Sequence, residues 1–116
     1  MDLFLNWFNL KPGVPDVEFC DSLHAYLGAL KQKGEIAGYR LSRRKLAFGL
    51  PELGEFFLVI ELEGLAQLDR AFANVSTRAG PIESLHAAVN QKVCDLRAAL
   101  YRDFPDAQRV RGEEKF

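Results

Sequence analysis

A carboxylate, Glu61, stands inside the most apolar segment of the chain, residues 55–62. There it either marks where a strand meets water or lies in a cavity with a partner, and desolvation or a neighbouring cation would then shift its pKa. Arg40, on a neighbouring predicted strand, supplies that cation, and Asn6 supplies a hydrogen-bond donor for a ligand. In a cavity the three side chains could bind a polar ligand group, with Glu61 as an acid or base. The alternative, which we favour, is a salt bridge at the rim of an interface or between subunits.

Two histidines are the other acid–base candidates. His24 lies beside Leu23 at the border of the apolar stripe of the first predicted helix, and His86 borders the stripe of the last. Either could be the base of a cofactor-independent enzyme, although packing is the more frequent role of a histidine in such a position. The sequence has no His-x-x-x-His, no Cys-x-x-Cys, no Gly-rich phosphate loop and no nucleophile elbow. We therefore expect neither a metal nor another cofactor.

The composition predicts a globular protein of the cytoplasm. At 116 residues, with 48% hydrophobic and 27% charged residues, the chain is long enough to bury a core. Its net charge of −1 provides no field that attracts nucleic acid or an anionic membrane. No apolar stretch approaches the roughly 20 residues of a membrane helix, and residues 1–5 lack a basic leader. Cys20 and Cys94, both on predicted apolar helix faces, are predicted to be free thiols in a reducing compartment.

Hydrophobic periodicity and turn residues predict the element order β-α-β-β-α-α. The first helix is expected after Pro15, with Gly34 as its C-terminal cap. Its apolar stripe is predicted to consist of Val17, Cys20, Leu23, Leu27 and Leu30. Strands are predicted over 2–10, 36–48 and 56–62, and helices over 64–74 and 81–104, the last stopped by Pro105. We expect one domain over residues 1–106 and a polar tail, or a weak final strand, over 107–116.

This order is the split β-α-β pattern of ferredoxin-like α+β folds. An antiparallel sheet of three strands, or of four with a C-terminal strand, is predicted to carry its helices on one face. The first and third strands are apolar on both sides, which suits central strands. The second strand suits an edge, because it carries four charges that discourage edge-to-edge aggregation: Arg40, Arg43, Arg44 and Lys45. The outer edge of the first strand is then open, and we expect a partner chain or the C-terminal segment to cover it.

The period-two alternation of the strands predicts an open sheet face of mixed chemistry. We expect Leu3, Leu5 and Trp7 under the helices, and Phe4, Asn6 and Phe8 on the open face. The other strands are predicted to add Phe57, Val59, Glu61, Arg40, Ser42 and Arg44 to that face. Exposed phenylalanines signal an interface or a ligand groove. The candidate ligand-binding residues are therefore Phe4, Phe8, Phe57, Asn6, Arg40 and Glu61, and a face-to-face homodimer would cover the whole face.

With this element order and face chemistry, residues 2–104 resemble the dimeric α+β barrel superfamily. Its members include small antibiotic-biosynthesis-type monooxygenases, stress-responsive barrel proteins and many uncharacterised bacterial families. The resemblance implies a homodimer in which two sheets enclose a cavity, with a ligand or substrate between sheet and helices. The chain departs from the superfamily pattern in its second half, where two successive predicted helices replace a helix–strand ending.

Three functions stand as hypotheses. The chain binds a small, partly apolar molecule; or it is a cofactor-independent enzyme of the monooxygenase or isomerase kind, with Glu61 or a histidine acting on an apolar substrate; or it is a purely structural dimer. A cavity lined by Glu61, Arg40 and a histidine would favour the second hypothesis, and the lack of a cavity the third. RNA recognition by the sheet is not expected, because the third strand lacks the glycine-aromatic motif that such domains use.

Overall fold

A four-stranded antiparallel sheet carries three helices on one face. The structure is a computed structural model and describes residues 1–113. The strands are β1 (Asp2–Leu10), β2 (Gly38–Arg43), β3 (Phe56–Leu62) and β4 (Val93–Arg102). The helices are α1 (Asp16–Gln32), α2 (Leu65–Ser76) and α3 (Gly80–Asn90). The strand order is β2-β3-β1-β4, so the ferredoxin-like α+β fold is confirmed, with β1 and β3 at the centre and β2 at an edge as predicted.

The prediction of one long final helix is wrong, because the chain turns at residue 91 and returns as β4. Helix α3 ends at Asn90, and the backbone N–H groups of Gln91 and Lys92 close it on the carbonyls of Ala87 and Val89. Strand β4 then pairs with β1 along the ladder from Asp2↔Arg102 to Leu10↔Val93. This pairing satisfies the backbone groups that would otherwise be unpaired along the outer edge of β1.

The fourth strand therefore comes from Val93–Arg102 and not from residues 107–116. Cys94 accordingly lies on a strand and not on a helix face, and both Cys20 and Cys94 are free thiols. Residues 107–113 form turns without a helix or strand. The remainder of the predicted tail, residues 114–116, lies outside the described residues.

Helix α1 packs an apolar stripe that begins two positions after the predicted start. Pro15 precedes its first residue, and Asp16 and Glu18 lie in the first turn, where acidic side chains complement the positive end of the helix. The buried stripe is Phe19, Leu23, Leu27 and Leu30, whereas Val17 is exposed. Phe19 takes the place of Val17 and Cys20 because its ring packs against Phe8 and Phe56, with ring centroids 5.5 and 5.8 Å apart.

The side of the sheet that β1 turns toward the helices is the opposite of the predicted one. Phe4, Asn6 and Phe8 lie under the helices, and Phe4 and Asn6 stand opposite Ile60 and Leu58 of β3. Leu3, Leu5 and Trp7 face the open side, opposite Glu61, Val59 and Phe57. Strand β1 is apolar on both sides, so alternation alone could not decide which set the helices cover. The predicted faces of β2 and β3 agree with the register, with Tyr39, Leu41, Leu58, Ile60 and Leu62 packed in or against the core.

The buried side chain of Gln67 fixes the start of α2. Its Nε2 donates to the Gly34 carbonyl oxygen at 2.8 Å, and its Oε1 accepts from the Glu63 backbone N–H at 2.9 Å. The first contact joins α2 to the turn after α1, and the second closes the first turn of α2. Gln67 thereby holds two walls of the space between helices and sheet in a fixed relation.

Candidate functional site

A cavity of about 230 Å³ lies between the helix face of the sheet and all three helices. Phe4, Asn6 and Phe8 of β1 lie along its sheet side. Helix α1 contributes Tyr26, α2 contributes Phe72, and α3 contributes His86. Most of the remaining lining is aliphatic, from Leu23, Leu27, Ile60, Leu68, Val75 and Val89. The site is thus an apolar chamber with very few polar groups, which is the usual make-up of a small-molecule pocket.

Asn6 is the deeply buried polar group of this cavity. Only 7% of the residue is exposed, and it stands between Phe4 and Phe8 on β1. Its amide Nδ2 donates to the Phe4 carbonyl oxygen at 3.4 Å, a distance at which a hydrogen bond is weak. Within the described chain its Oδ1 accepts no hydrogen bond. A buried amide normally satisfies its donors and acceptor, so Asn6 retains hydrogen-bonding capacity that a ligand could use.

A second polar group forms where α1 and α3 meet. The rings of Tyr26 and His86 pack edge to face with centroids 5.5 Å apart, and both residues line the cavity. The Nδ1 of His86 lies 3.8 Å from Oε2 of Glu83, one helical turn earlier. Burial, followed by the negative charges of Glu35 and Glu83, raises the pKa of Tyr26 to about 12. Tyr26 therefore stays protonated at neutral pH and can donate a hydrogen bond.

The two carboxylates beside Tyr26 are only partly satisfied. Glu35 Oε1 accepts a hydrogen bond from the side chain of Asn74, but its Oε2 is buried without a hydrogen-bond partner, and so is Oε2 of Glu83. A buried carboxylate oxygen without a donor is costly. Glu83 is hence placed to orient the imidazole of His86.

The structure divides the predicted site residues among three places. Phe4, Asn6, Phe8 and His86 meet in the cavity. Their predicted association with Glu61, Arg40 and Phe57 on the open face is wrong, because β1 presents its other side there. Those three residues do share the open face, where Phe57 stacks on Trp7 with ring centroids 4.9 Å apart. His24 is exposed and outside the cavity, with its Nδ1 2.7 Å from the Tyr39 hydroxyl.

Glu61 and Arg40 are diagonal neighbours and not a directly paired couple. Glu61 stands opposite Gly38, and Arg40 stands opposite Val59. Diagonal cross-strand positions are about 7–8 Å apart, which only long side chains can bridge. Across residues 1–113 no ion pair joins the two. Within residues 1–113 Glu61 and Arg40 therefore do not form a buried charge pair inside one protomer.

Sequence reasoning missed Tyr26 and Glu83. Glu83 and His86 have the three-residue spacing that brings side chains together on a helix, so that pair was visible in the sequence. Tyr26 lies three residues after Leu23 in the stripe of α1 and could be read as part of the core. Its approach to His86 depends on how α1 packs against α3, which no local pattern reveals.

Metal-binding clusters and membrane-spanning helices are two features that residues 1–113 do not have. No cluster of three or more histidine, cysteine, aspartate or glutamate side chains there has an arrangement that would hold a metal ion. None of the three described helices combines the length and the apolar character of a membrane span.

Comparison with known proteins places the chain in a family. The model of a family of unknown function, DUF6614, matches residues 1–116. The chain belongs to DUF6614. No curated protein has a sequence that matches it.

Solved structures share the fold of this DUF6614 protein at low sequence identity. A dimeric protein of unknown function with a ferredoxin-like fold from Bacteroides fragilis is 15% identical with a TM-score of 0.58, over 88% of this chain and 95% of its own. SnoaB, a cofactor-independent oxygenase from Streptomyces nogalater, is 12% identical with a TM-score of 0.67, over 93% of this chain and 97% of its own. A dimeric ferredoxin-like protein of unknown function from Thermobifida fusca is 17% identical with a TM-score of 0.53, over 86% and 88%. At these identities the likeness concerns the fold.

Proposed function

We propose that this protein is a homodimer that binds a small, mostly apolar molecule in the cavity between sheet and helices, with Asn6 as the anchor for the ligand's polar group. The observation that carries the proposal is a buried asparagine with unused hydrogen-bonding capacity on the sheet side of an apolar cavity of about 230 Å³. Drug-sized ligands occupy pockets of roughly 300–1,000 Å³. The ligand is therefore smaller than a drug-sized molecule.

The area and shape of one protomer support the dimer. Its accessible surface is 8128 Å², whereas a monomeric protein of its mass exposes about 6,400 Å². The radius of gyration is 16.1 Å, against about 13 Å for a compact domain of this length. The excess exceeds the roughly 800 Å² that each partner buries in a standard interface. The open sheet face is the surface to cover, because Leu3, Leu5, Trp7, Phe57 and Val59 all lie on it.

The polar residues of the open face fit an intersubunit role. Glu61 and Arg40 stand on it without a shared ion pair inside the described protomer. A two-fold axis repeats both residues on the opposing face, so each can pair with the other copy. In this arrangement the two side chains specify the register of the dimer and do not act on the ligand.

Ligand binding is tested with a thermal-shift panel of small apolar compounds that carry one hydroxyl, carbonyl or carboxylate group. Wild type should be stabilised by members of the panel, because a ligand that binds only the folded state raises its melting temperature. Asn6→Leu keeps the branched skeleton of the side chain and removes the amide, so it should weaken binding about tenfold, the effect of one lost hydrogen bond of about 1.4 kcal/mol. Ala71→Leu, which fills part of the cavity, should abolish the shift.

Gln32→Leu is the matched control, because Gln32 carries the same amide group at an exposed position of α1 outside the cavity. It should respond to the panel as wild type does. The proposal is contradicted if Asn6→Leu and Ala71→Leu fold normally and bind the same compounds with unchanged affinity. The dimer is tested separately by light scattering, and a monomer at micromolar concentration would overturn that part.

A second function, proton-transfer catalysis on an apolar substrate, is favoured by one observation. His86 lines the cavity with Nδ1 toward Glu83, while Tyr26 is held protonated beside it. A histidine oriented by a carboxylate is a competent general base, and a neutral tyrosine can donate a hydrogen bond to the charge that develops. SnoaB, which shares the fold, is a cofactor-independent oxygenase.

This second function is tested with compounds that the thermal-shift panel identifies. Incubation followed by mass spectrometry, or by deuterium exchange from the solvent, would reveal turnover in wild type. His86→Asn should bind with similar affinity and lose turnover, whereas His24→Asn, outside the cavity, should change neither. If binding occurs and neither exchange nor product appears in wild type, the protein is a binding protein alone.

A further inference from the structure

The loop between β2 and β3 carries three strongly exposed apolar side chains. We call residues 45–53 the arm. Its Leu46, Phe48 and Leu50 are 80%, 81% and 63% exposed. Single exposed apolar residues are common on protein surfaces, but three on one nine-residue loop form a patch that marks an interaction site.

The arm is held in place by its own hydrogen bonds. Nη2 of Arg44 donates to the carbonyl oxygens of Leu53 and Leu50 at 2.7 and 3.4 Å. The backbone N–H of Phe48 donates to the Lys45 carbonyl oxygen at 3.0 Å. Leu46 and Ala47 have positive φ angles of 53° and 59°, a region that residues other than glycine seldom adopt. Such conformations persist only where the surroundings impose them, and they are frequent at functional sites.

The arm and the open sheet face form one continuous surface. A groove of about 240 Å³ lies between them. Trp7, Ser42 and Phe57 line it from the sheet, and Phe48 and Leu50 line it from the arm. Whatever covers the open face therefore also meets the arm.

The charges near the arm favour a protein over an anionic membrane as its partner. Three successive cations, Arg43, Arg44 and Lys45, precede the apolar residues. Arg43 is engaged with Asp16 and Glu55 at 3.0 and 2.9 Å, and Arg44 is turned onto backbone carbonyl oxygens of the arm. With two of its three cations committed within the protomer, the arm lacks the basic cluster that binds anionic lipid.

We infer that the arm of each protomer packs on a second copy of this chain and extends the dimer beyond the sheet face. The inference rests on the proposed homodimer. One protomer exposes about 1,700 Å² more than a monomer of its mass, which is more than one standard interface needs from each partner. The two-fold axis makes the arm contact twice, so Phe48 and its symmetry mate both contribute to dimer stability.

The direct test is a photo-crosslinker, benzoylphenylalanine, at position 48 of the full chain. Irradiation should yield a covalent dimer on a denaturing gel. The same residue at position 17 is the control, because Val17 is 68% exposed on α1 and so lies in the helix layer, on the side of the sheet opposite to the open face. It should give monomer. Crosslinking at position 17 as efficient as at position 48 would mean random collision and would overturn the inference.

The quantitative test is the dimer dissociation constant of Phe48→Ser. Loss of two symmetry-related phenylalanine contacts should raise the constant about tenfold or more, while Val17→Ser leaves it unchanged. A wild-type dimer with an unchanged constant in Phe48→Ser and no crosslink at position 48 overturns the arm contact and leaves the proposed dimer intact. A monomeric wild type overturns the proposed dimer and the arm contact with it. Binding of wild type, but not of Phe48→Ser, to phosphatidylserine vesicles without a change in dimerisation would assign the arm to a membrane and overturn the inference.

Discussion

The hydroxyl of Tyr26 is the group whose ionisation the fold changes most clearly. Burial, followed by the charges of Glu35 and Glu83, raises its pKa to about 12. An unfolded tyrosine titrates near pH 10. Between about pH 10 and 12 the folded chain therefore holds a proton on Tyr26 that the unfolded chain has lost. The contribution of the protonated Tyr26 to the free energy of unfolding is complete below about pH 10 and declines as the pH rises to about 12.

We expect one tyrosine of this chain to titrate near pH 12 when phenolate absorbance is followed. That step should be missing from Tyr26→Phe, and Glu83→Gln should lower its midpoint because one of the two negative charges is removed. Tyr39→Phe, which removes a hydroxyl outside the cavity, should leave the step in place. A high-pH step that survives in Tyr26→Phe would show that another tyrosine is the buried one.

Gly54 is a residue at which a single methyl group should be costly. A Cβ there would lie 2.3 Å from both the carbonyl carbon and the oxygen of Phe8, and backbone atoms of a central strand cannot move aside. Gly54→Ala should lower the free energy of unfolding by about 1–3 kcal/mol. Gly28→Ala is a control of opposite sign, because its Cβ meets nothing within 4 Å and alanine favours the helix by up to about 1 kcal/mol. Urea unfolding of both variants checks the pair, and equal effects would refute the packing argument.

At the scale of elements, the sequence determined the order of the central strands better than the identity of the last one. The sequence predicts a central position for β1 and β3 because they are apolar on both sides. Val93, Leu96 and Leu100 have helical spacing, and they nonetheless form β4. Tertiary structure decides between helix and strand for this segment, since the open edge of β1 offers a ladder of backbone hydrogen-bond partners that a helix could not use. The same two-sided apolarity of β1 made the side of Asn6, and thus the cavity, impossible to assign from alternation.

The far end of β4 is tied to the start of β1 by Arg102 and Asp2. Nε and Nη2 of Arg102 donate to the two carboxylate oxygens of Asp2 at 2.5 and 3.1 Å. The hydrogen bonds from Arg102 lower the pKa of Asp2. The pair therefore contributes stability above the ordinary pKa of aspartate, and this contribution is lost as the pH falls through the lowered value.

Arg102→Met should release the end of β4 and leave the rest of the sheet paired. Amide hydrogen exchange at residues 99–102 should accelerate, because those hydrogen bonds then open locally, while exchange in β2 and β3 stays unchanged. Arg97→Met is the control, since Arg97 stands on the same strand opposite Trp7 and makes no ion pair within the described chain. Uniform acceleration over all four strands in Arg102→Met would indicate global destabilisation and contradict a local role.

At the scale of the whole molecule, the protomer is a thin two-layer plate, 54 × 38 × 19 Å, with an open sheet face of mixed apolar and polar residues. The mixed character of that side was visible in the sequence, because Phe57, Val59 and Glu61 alternate along β3 with the residues that face the helices. Its aromatic centre was not, since Trp7 was expected under the helices. Trp7, the only tryptophan of the chain, is therefore a reporter of the proposed dimer face.

Trp7 fluorescence should therefore follow association. In the dimer its indole is covered by the partner, and on dilution the emission maximum should shift to longer wavelength as water reaches the ring. Leu5→Arg puts a charge at the centre of the open face, between Val59 and Ala99, and should give the shifted spectrum at every concentration, because an unpaired charge cannot be buried in the interface. Ala25→Arg places the same charge on an exposed position of α1 and should behave as wild type. If light scattering shows a dimer in which neither dilution nor Leu5→Arg moves the emission, the two copies meet through another surface. The open face would then remain available to a different protein.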